Sequence, residues 1–330
     1  MDSKYTVKGH ACLPLNLYQE WDDEEDLAYK NILVSLVEGD LDPSEAARRI
    51  DAVLLQRYAA RHDLLRSRPN PYQLTPEEVA RGLTSIHQVA SSAWCQVKMI
   101  FQWIAVLCSA CPPGHPAQDR IILFLEALRA MPLHHVTFLG PKSNEGKDVE
   151  PFEEMPLWPL GKNWCGSADA FRREVPSCAY RCTQRNLKAR AGRMTCDEEH
   201  FRWRNFQSAI ARITVLGLVE CRFLCSLENI IPGGRQYAPS KTTEIACDLF
   251  AGVQWILLHG EYVYAECKKR DKVTDPVRQM RSMERWGLWK QLFLRIVSGE
   301  IRRFDMDIKQ QAELALLRMT ACEEGESVRC

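Results

Sequence analysis

No run of about 18 apolar residues occurs anywhere in the 330 residues of the chain, so no stretch is long enough to read as a membrane-spanning helix. The best candidates, IAVLCSAC and ITVLGLVECRFLC, are short or interrupted by charge. The opening stretch MDSKYTVKGHACLPLNLY has no apolar core and no small-residue cleavage pattern, so a secretory leader is not expected. An excess of either charge is also missing. Forty-three basic and 43 acidic residues cancel, and nothing global favours nucleic acid or an anionic membrane as partner. Four signatures of common chemistry are absent: GxGxxG after a strand, GxxxxGK[ST], GxSxG and HExxH. That argues against nucleotide-driven, serine-hydrolase and zinc-protease mechanisms. No strand-like alternation of useful length is visible, and no repeat of fixed period.

What is present is ordinary globular material. Hydrophobic residues make up 46 % and charged residues 26 %, enough to build a sizeable core. Fourteen cysteines in a chain read as intracellular argue for reduced thiols rather than a disulfide framework. Cys221, Cys225, Cys247 and Cys267 fall on helical core faces, where a thiol behaves as a small hydrophobe.

Helical periodicity dominates the rest, and the expected fold is all-α, a single multi-helix domain around a central apolar helix over about 245–267. There Leu249, Val253, Ile256, Gly260, Val263 and Cys267 recur at three- and four-residue steps. Trp255, Leu258, His259 and Tyr262 form a second stripe. A helix apolar on two faces is covered by neighbours on both. Trp286, Trp289, Phe293 and Ile296 mark a partner helix.

Residues 1–18 are expected to be a flexible tail and 19–139 an N-terminal helical half. Acidic residues before Leu27 suit a helix start. Asp42, Pro43 and Glu45 are an N-terminal cap signal, and Thr75, Pro76 and Glu78 repeat it for a helix running to Cys108 with a kink near Ser91. CPPGHP breaks that helix. Residues 140–196 read as an irregular excursion that docks through Leu157 and Trp158, least ordered at 140–150 and 183–195. A C-terminal half over 197–321 packs on the first, starting with a long stripe of Phe206, Ile210, Ile213, Gly217, Glu220, Leu224 and Leu227. Residues 322–330 are expected to fray.

Three stretches in this order carry a family resemblance: Trp203, Asn205, Ala211 and Arg212 in WRNFQSAIARI; Gln254, Trp255, Ile256, His259, Gly260 and Glu261; and Arg285, Trp286, Trp289 and Lys290. EGDLDPSEAARRID and MPLWPL also fit. The chain resembles a family of fungal, mainly ascomycete, proteins known as domain of unknown function 3632. The resemblance implies an all-helical fold and a fungal, intracellular protein. It carries no activity over, and only an associational link to secondary-metabolite pathways.

Candidate chemistry is sparse. Cys178, Cys182, Cys196 and His200 have near zinc-finger spacing, with Arg181, Arg185, Lys188, Arg190 and Arg193 between them, so a small zinc module could contact nucleic acid. Only Leu187 supplies core material there, and the preferred reading is a basic linker with no metal or other cofactor. Cys108, Cys111 and His115 form a second cluster, but at a helix C-terminus the dipole disfavours thiolate, so packing and turn roles are preferred. His259, Glu261 and Glu220 are polar residues on apolar stripes and candidates for acid–base work. A buried polar cluster paired to Arg212 or Arg285, where Gly217 and Gly260 let two helices approach, is the preferred account. Trp255, Tyr262, Arg285, Trp286, Trp289 and Lys290 could line a pocket, against the simpler reading as aromatic packing. The leading functional expectation is a non-enzymatic binding or scaffold protein whose partner is another protein or an apolar small molecule. The alternatives are an accessory protein or small-molecule-processing enzyme of a fungal secondary-metabolite pathway, and a zinc-dependent regulatory role.

Overall fold

A computed structural model of the chain describes residues 11–90, 93–132, 134–140, 152–158, 198–231, 242–270, 282–301 and 306–325. The segments expected to be least ordered, 140–150 and 183–195, lie outside the described residues apart from residue 140.

Helix α1 spans Glu24–Glu38. Asp23 caps it by accepting the Asp26 N–H, and Gly39 ends it at φ 95°, a left-handed backbone that glycine adopts without strain. Helix α2, Pro43–Arg66, starts as its sequence dictates: the Asp42 carboxylate accepts the N–H groups of Ser44 and Glu45, with Pro43 in the first turn. The single kinked helix expected over 76–108 is instead three: α3 (Pro76–Ala80), α4 (Ile86–Val89) and α5 (Ala93–Ala110). Two capping boxes compete with continuation. Thr75 and Glu78 cap α3, Ser85 and Gln88 cap α4, and Gly82 between them has φ 84°. Helix α6 is Pro116–Ala130, with His115 as its N-cap.

A short antiparallel ribbon follows: β1 (His135–Leu139) and β2 (Phe152–Pro156), registered with Leu139 opposite Phe152 and His135 opposite Pro156. Strands were not expected, because five residues with one fully buried side chain, Val136, give too little alternation to register. Leu157 and Trp158 are buried just beyond it.

Helix α7 is Glu198–Val215. The expected seven-turn stripe stops here, because Gly217 adopts φ 66° and Leu218 N–H returns to the Ile213 carbonyl. Gly217 is therefore a helix stop rather than a crossing point. Glu220, Leu224 and Leu227 lie beyond it, in two 3-10 turns (Arg222–Leu224 and Ser226–Asn229) and their approach. Helix α8 is Thr242–Arg270, α9 is Met283–Val297 and α10 is Met306–Glu324.

The described residues nearest each end, 11–18 and 322–325, make contacts with the helices. Leu13 N–H donates to the Ala110 carbonyl at 2.9 Å and Leu17 is buried, so the described part of the N-terminal stretch packs on α5. Helix α10 runs past residue 321, and Cys322 is buried.

Helix α8 sits against α7, α9, α10 and the second 3-10 turn. Leu249, Val253, Trp255, Ile256, Val263 and Cys267 are buried on it, while Leu258 keeps 38 % of its surface exposed, so the second stripe is covered only in part. One continuous core takes side chains from both halves of the chain. Polar groups fix their register: Gln118 of α6 donates to the Cys111 carbonyl at 3.0 Å, Asn205 of α7 donates to the Ser109 carbonyl at 3.1 Å, and Ser208 bonds Gln118 at 3.2 Å. The fold is all-α, a single domain with ten α-helices among the described residues.

Candidate functional site

The C-terminal half of α2 carries Tyr58, Arg61, His62 and Leu65, spaced i, i+3, i+4 and i+7, hence on one helical face. The ribbon is held against this helix lower down. Asp51 is buried, accepts the Trp158 indole N–H at 2.7 Å and meets His134 Nε2 at 3.3 Å. Leu157 N–H closes onto the His134 carbonyl at 2.8 Å. Pinned there, the ribbon leans its other end towards the end of α2, and His62 meets the Phe152 ring edge-on at 4.9 Å.

A shallow cleft with a cavity of about 20 Å³ opens between them, lined by that α2 face, by His87 and Ala90 of the α4 turn, and by Thr137, Phe138, Leu139 and Phe152 of the ribbon. Three aromatic rings, Tyr58, Phe138 and Phe152, and one guanidinium, Arg61, contribute to its lining. Arg61 lies 5.4 Å above the Tyr58 ring and pairs with Glu25, which also holds Arg57 at 3.3 Å. The lining contains no carboxylate and no thiol. Such a cavity can stack a flat ring and meet an acidic substituent at its rim. The spacing of Tyr58, Arg61 and His62 is readable in the sequence as one mixed face of an amphipathic helix. The ribbon wall was not, because nothing local announces the pairing of 135–139 with 152–156.

The residues singled out from sequence are placed elsewhere. His259 occupies a break in α8, with φ −142° and ψ 37°, and its buried Nε2 has no hydrogen-bond partner. Burial, and after it the nearby Arg212 charge, lowers its pKa to about 4, so the ring is neutral at pH 7. Glu261 is exposed and takes both oxygens to Arg318 of α10 at 2.7 Å. Glu220, off the helix, pairs with Arg222, whose Nε donates to it at 2.6 Å. Arg212 is bound to Asp119 at 2.7 Å and Arg285 to Glu228 at 3.1 Å. The expected cluster of His259, Glu261 and Glu220 therefore does not assemble around a shared counter-charge. Gly260 does allow a close approach, but to α10: a Cβ there would lie 3.0 Å from Cys322 Sγ.

Trp255, Trp286 and Trp289 are fully buried, and each spends its N–H on the protein. Trp255 donates to Gln207 at 2.8 Å, Trp286 to Glu323 at 2.9 Å and Trp289 to the Leu227 carbonyl at 2.9 Å. Trp286 also packs on Tyr264 with ring centres 4.9 Å apart. Tyr262 is half-buried, and Lys290 pairs with Glu323. Of the zinc-spaced set, His200 is buried on α7, while Cys178, Cys182 and Cys196 lie outside the described residues. Among the described residues no group of three or more His, Cys, Asp or Glu could hold a metal ion.

Fold and cleft together define a helical protein with a small, shallow aromatic cleft beside Arg61. Residues 101–293, more than half of the chain, match the model of a family described as Protein of unknown function (DUF3632), and the chain belongs to that family. Neither a curated protein nor a solved structure matches it. No described helix is long and apolar enough to cross a membrane.

Proposed function

We propose that the protein is a non-enzymatic binding protein, and that the cleft between α2, the α4 turn and the ribbon takes a small, planar, largely apolar molecule carrying an acidic group. The lining supports this reading: the rings of Tyr58, Phe138 and Phe152 with the Arg61 guanidinium beside them, and no carboxylate or thiol. The cavity itself is small, about 20 Å³, and opens to solvent, so the occupant is a small flat molecule that lies partly outside it. On this reading the protein works inside a fungal cell, in a supporting role in secondary metabolism.

Calorimetric titration with 2-naphthoate, a flat two-ring acid, tests the reading. One site per chain is expected, weakened about tenfold or more, roughly 1.4 kcal/mol, by His62→Ala or Phe138→Ser. Absence of saturable binding, or binding indifferent to both substitutions, would remove the cleft from consideration.

A further inference from the structure

The N-terminal stretch lies across the corner where α5 ends and α6 begins. Leu13 N–H bonds the Ala110 carbonyl, and Arg202 donates to the Pro14 carbonyl at 2.5 Å. Residues 12 and 111 each neighbour the Leu13–Ala110 bond, which brings Cys12 alongside Cys111. The turn between the helices, CPPGHP, presents His115 from the other side: Cys12 Sγ is 3.4 Å from its Nδ1. That nitrogen also accepts the Ala117 N–H at 3.1 Å, so it carries the lone pair and the neutral ring keeps its proton on Nε2. Cys12 thus has a proton acceptor within reach, at the positive end of α6.

We infer that Cys12 and Cys111 are a reversible redox pair, oxidised by hydrogen peroxide to a disulfide that fastens the N-terminal stretch to the α5–α6 corner. Exposure divides the roles. Cys12 is partly exposed and open to a small oxidant, whereas Cys111 is buried and faces Cys12. Charge state agrees. The neighbouring Cys111 thiol, with help from Arg120, lowers the Cys12 thiol to about 7. The same contact, and then burial, pushes Cys111 up, so it stays protonated. Cys108, one turn earlier, is pushed up to about 12 by burial and takes no part.

The steps balance. His115 Nδ1 takes the Cys12 proton. The thiolate attacks one peroxide oxygen, the O–O bond breaks, and the departing hydroxide recovers the proton from His115 and leaves as water. Cys12 is now a sulfenic acid. Cys111 sulfur attacks the Cys12 sulfur, the S–O bond breaks, and the Cys111 proton leaves with the hydroxyl as a second water. Two sulfurs lose two electrons in all, and two oxygens gain them. A dithiol reverses the reaction by exchange, itself becoming the disulfide.

The full chain, treated with equimolar hydrogen peroxide, alkylated and digested, gives the test by mass spectrometry. A peptide pair joined through Cys12 and Cys111, two hydrogens lighter than its parts and released by dithiothreitol, is the expected product. Cys111→Ala is expected to leave a Cys12 sulfenic acid that dimedone traps. It should also slow Cys12 alkylation at pH 7 about tenfold, as the thiolate fraction falls towards that of an ordinary thiol. If peroxide leaves Cys12 unmodified, or joins other cysteines first in the unsubstituted chain, the inference fails, whatever the variant does.

Discussion

Two helical glycines look alike in sequence and should respond oppositely to alanine. Gly252 lies in α8 and Gly287 in α9. Alanine gains about 1 kcal/mol over glycine in a helix interior when nothing else changes. At Gly287 nothing lies within 4 Å of an added Cβ, so the full gain is expected. At Gly252 the Cβ would stand 2.9 Å from the Leu227 backbone nitrogen and 3.1 Å from Ser226 Oγ. Carbon contacts settle near 3.5–4.0 Å, so one side has to retreat. Leu227 is poorly placed to do so, since its carbonyl holds the Trp289 indole and the neighbouring Ser226 N–H holds Gln207 at 3.1 Å. Overpacking a fixed site costs about 1–3 kcal/mol. Subtracting the helical gain leaves Gly252→Ala less stable by about 1 kcal/mol, with the two variants about 2 kcal/mol apart. Urea unfolding followed by circular dichroism reads this as midpoints moving in opposite directions at constant slope. A Gly252→Ala midpoint that rises as far as that of Gly287→Ala would refute the argument that the 3-10 turn is clamped.

His259 gives a pH test. Its folded pKa, about 4, lies below the ordinary value of 6.5. The unfolded chain therefore binds the proton first: the contribution is complete above pH 6.5 and is lost as pH falls towards 4. Roughly 2–3 kcal/mol should disappear over that window after allowance for partial exposure, and His259→Gln should flatten this part of the urea-midpoint curve. A variant with the parent's pH dependence would assign the loss to other groups. Asp51→Ala strips the Trp158 indole of its acceptor and should cost about 1–3 kcal/mol, while Asp51→Asn keeps an acceptor and should cost less. The alanine variant should also weaken naphthoate binding, because the ribbon wall loses its anchor; unchanged affinity would show the ribbon to be held by other contacts.

The helices were legible where one strong pattern acted alone. The Asp42 cap and the Trp286–Ile296 face appear where their residues put them, because cap chemistry and a 3.6-residue period are local. Errors arose where two local signals competed. The 76–108 stretch reads as one helix until the Ser85–Gln88 box is given weight equal to the apolar period. Gly217 keeps the period of α7 and still ends it, because a glycine that continues a stripe and one that turns left-handed have the same letter. The cleft was half readable, from Tyr58, Arg61 and His62, and its other wall depends on a pairing across 12 intervening residues between Leu139 and Phe152. Cys12 was lost for a similar reason, since its partners stand about a hundred positions away.

Gln207 has a consequence for how the molecule breathes. Its amide donates to the Leu224 carbonyl at 2.9 Å, and its oxygen accepts both the Ser226 N–H and the Trp255 indole. An amide offers donor and acceptor on one rigid plane, so all three bonds hold in a single orientation and turning the plane over loses them together. The segment after α7 has no regular ladder and would ordinarily be counted among the first parts to open. Tied through this one side chain to the innermost tryptophan of α8, it cannot open without disturbing both helices. Its amides therefore belong with the slow-exchanging set that reports global unfolding, and the looser exchange falls to surfaces that Gln207 does not reach.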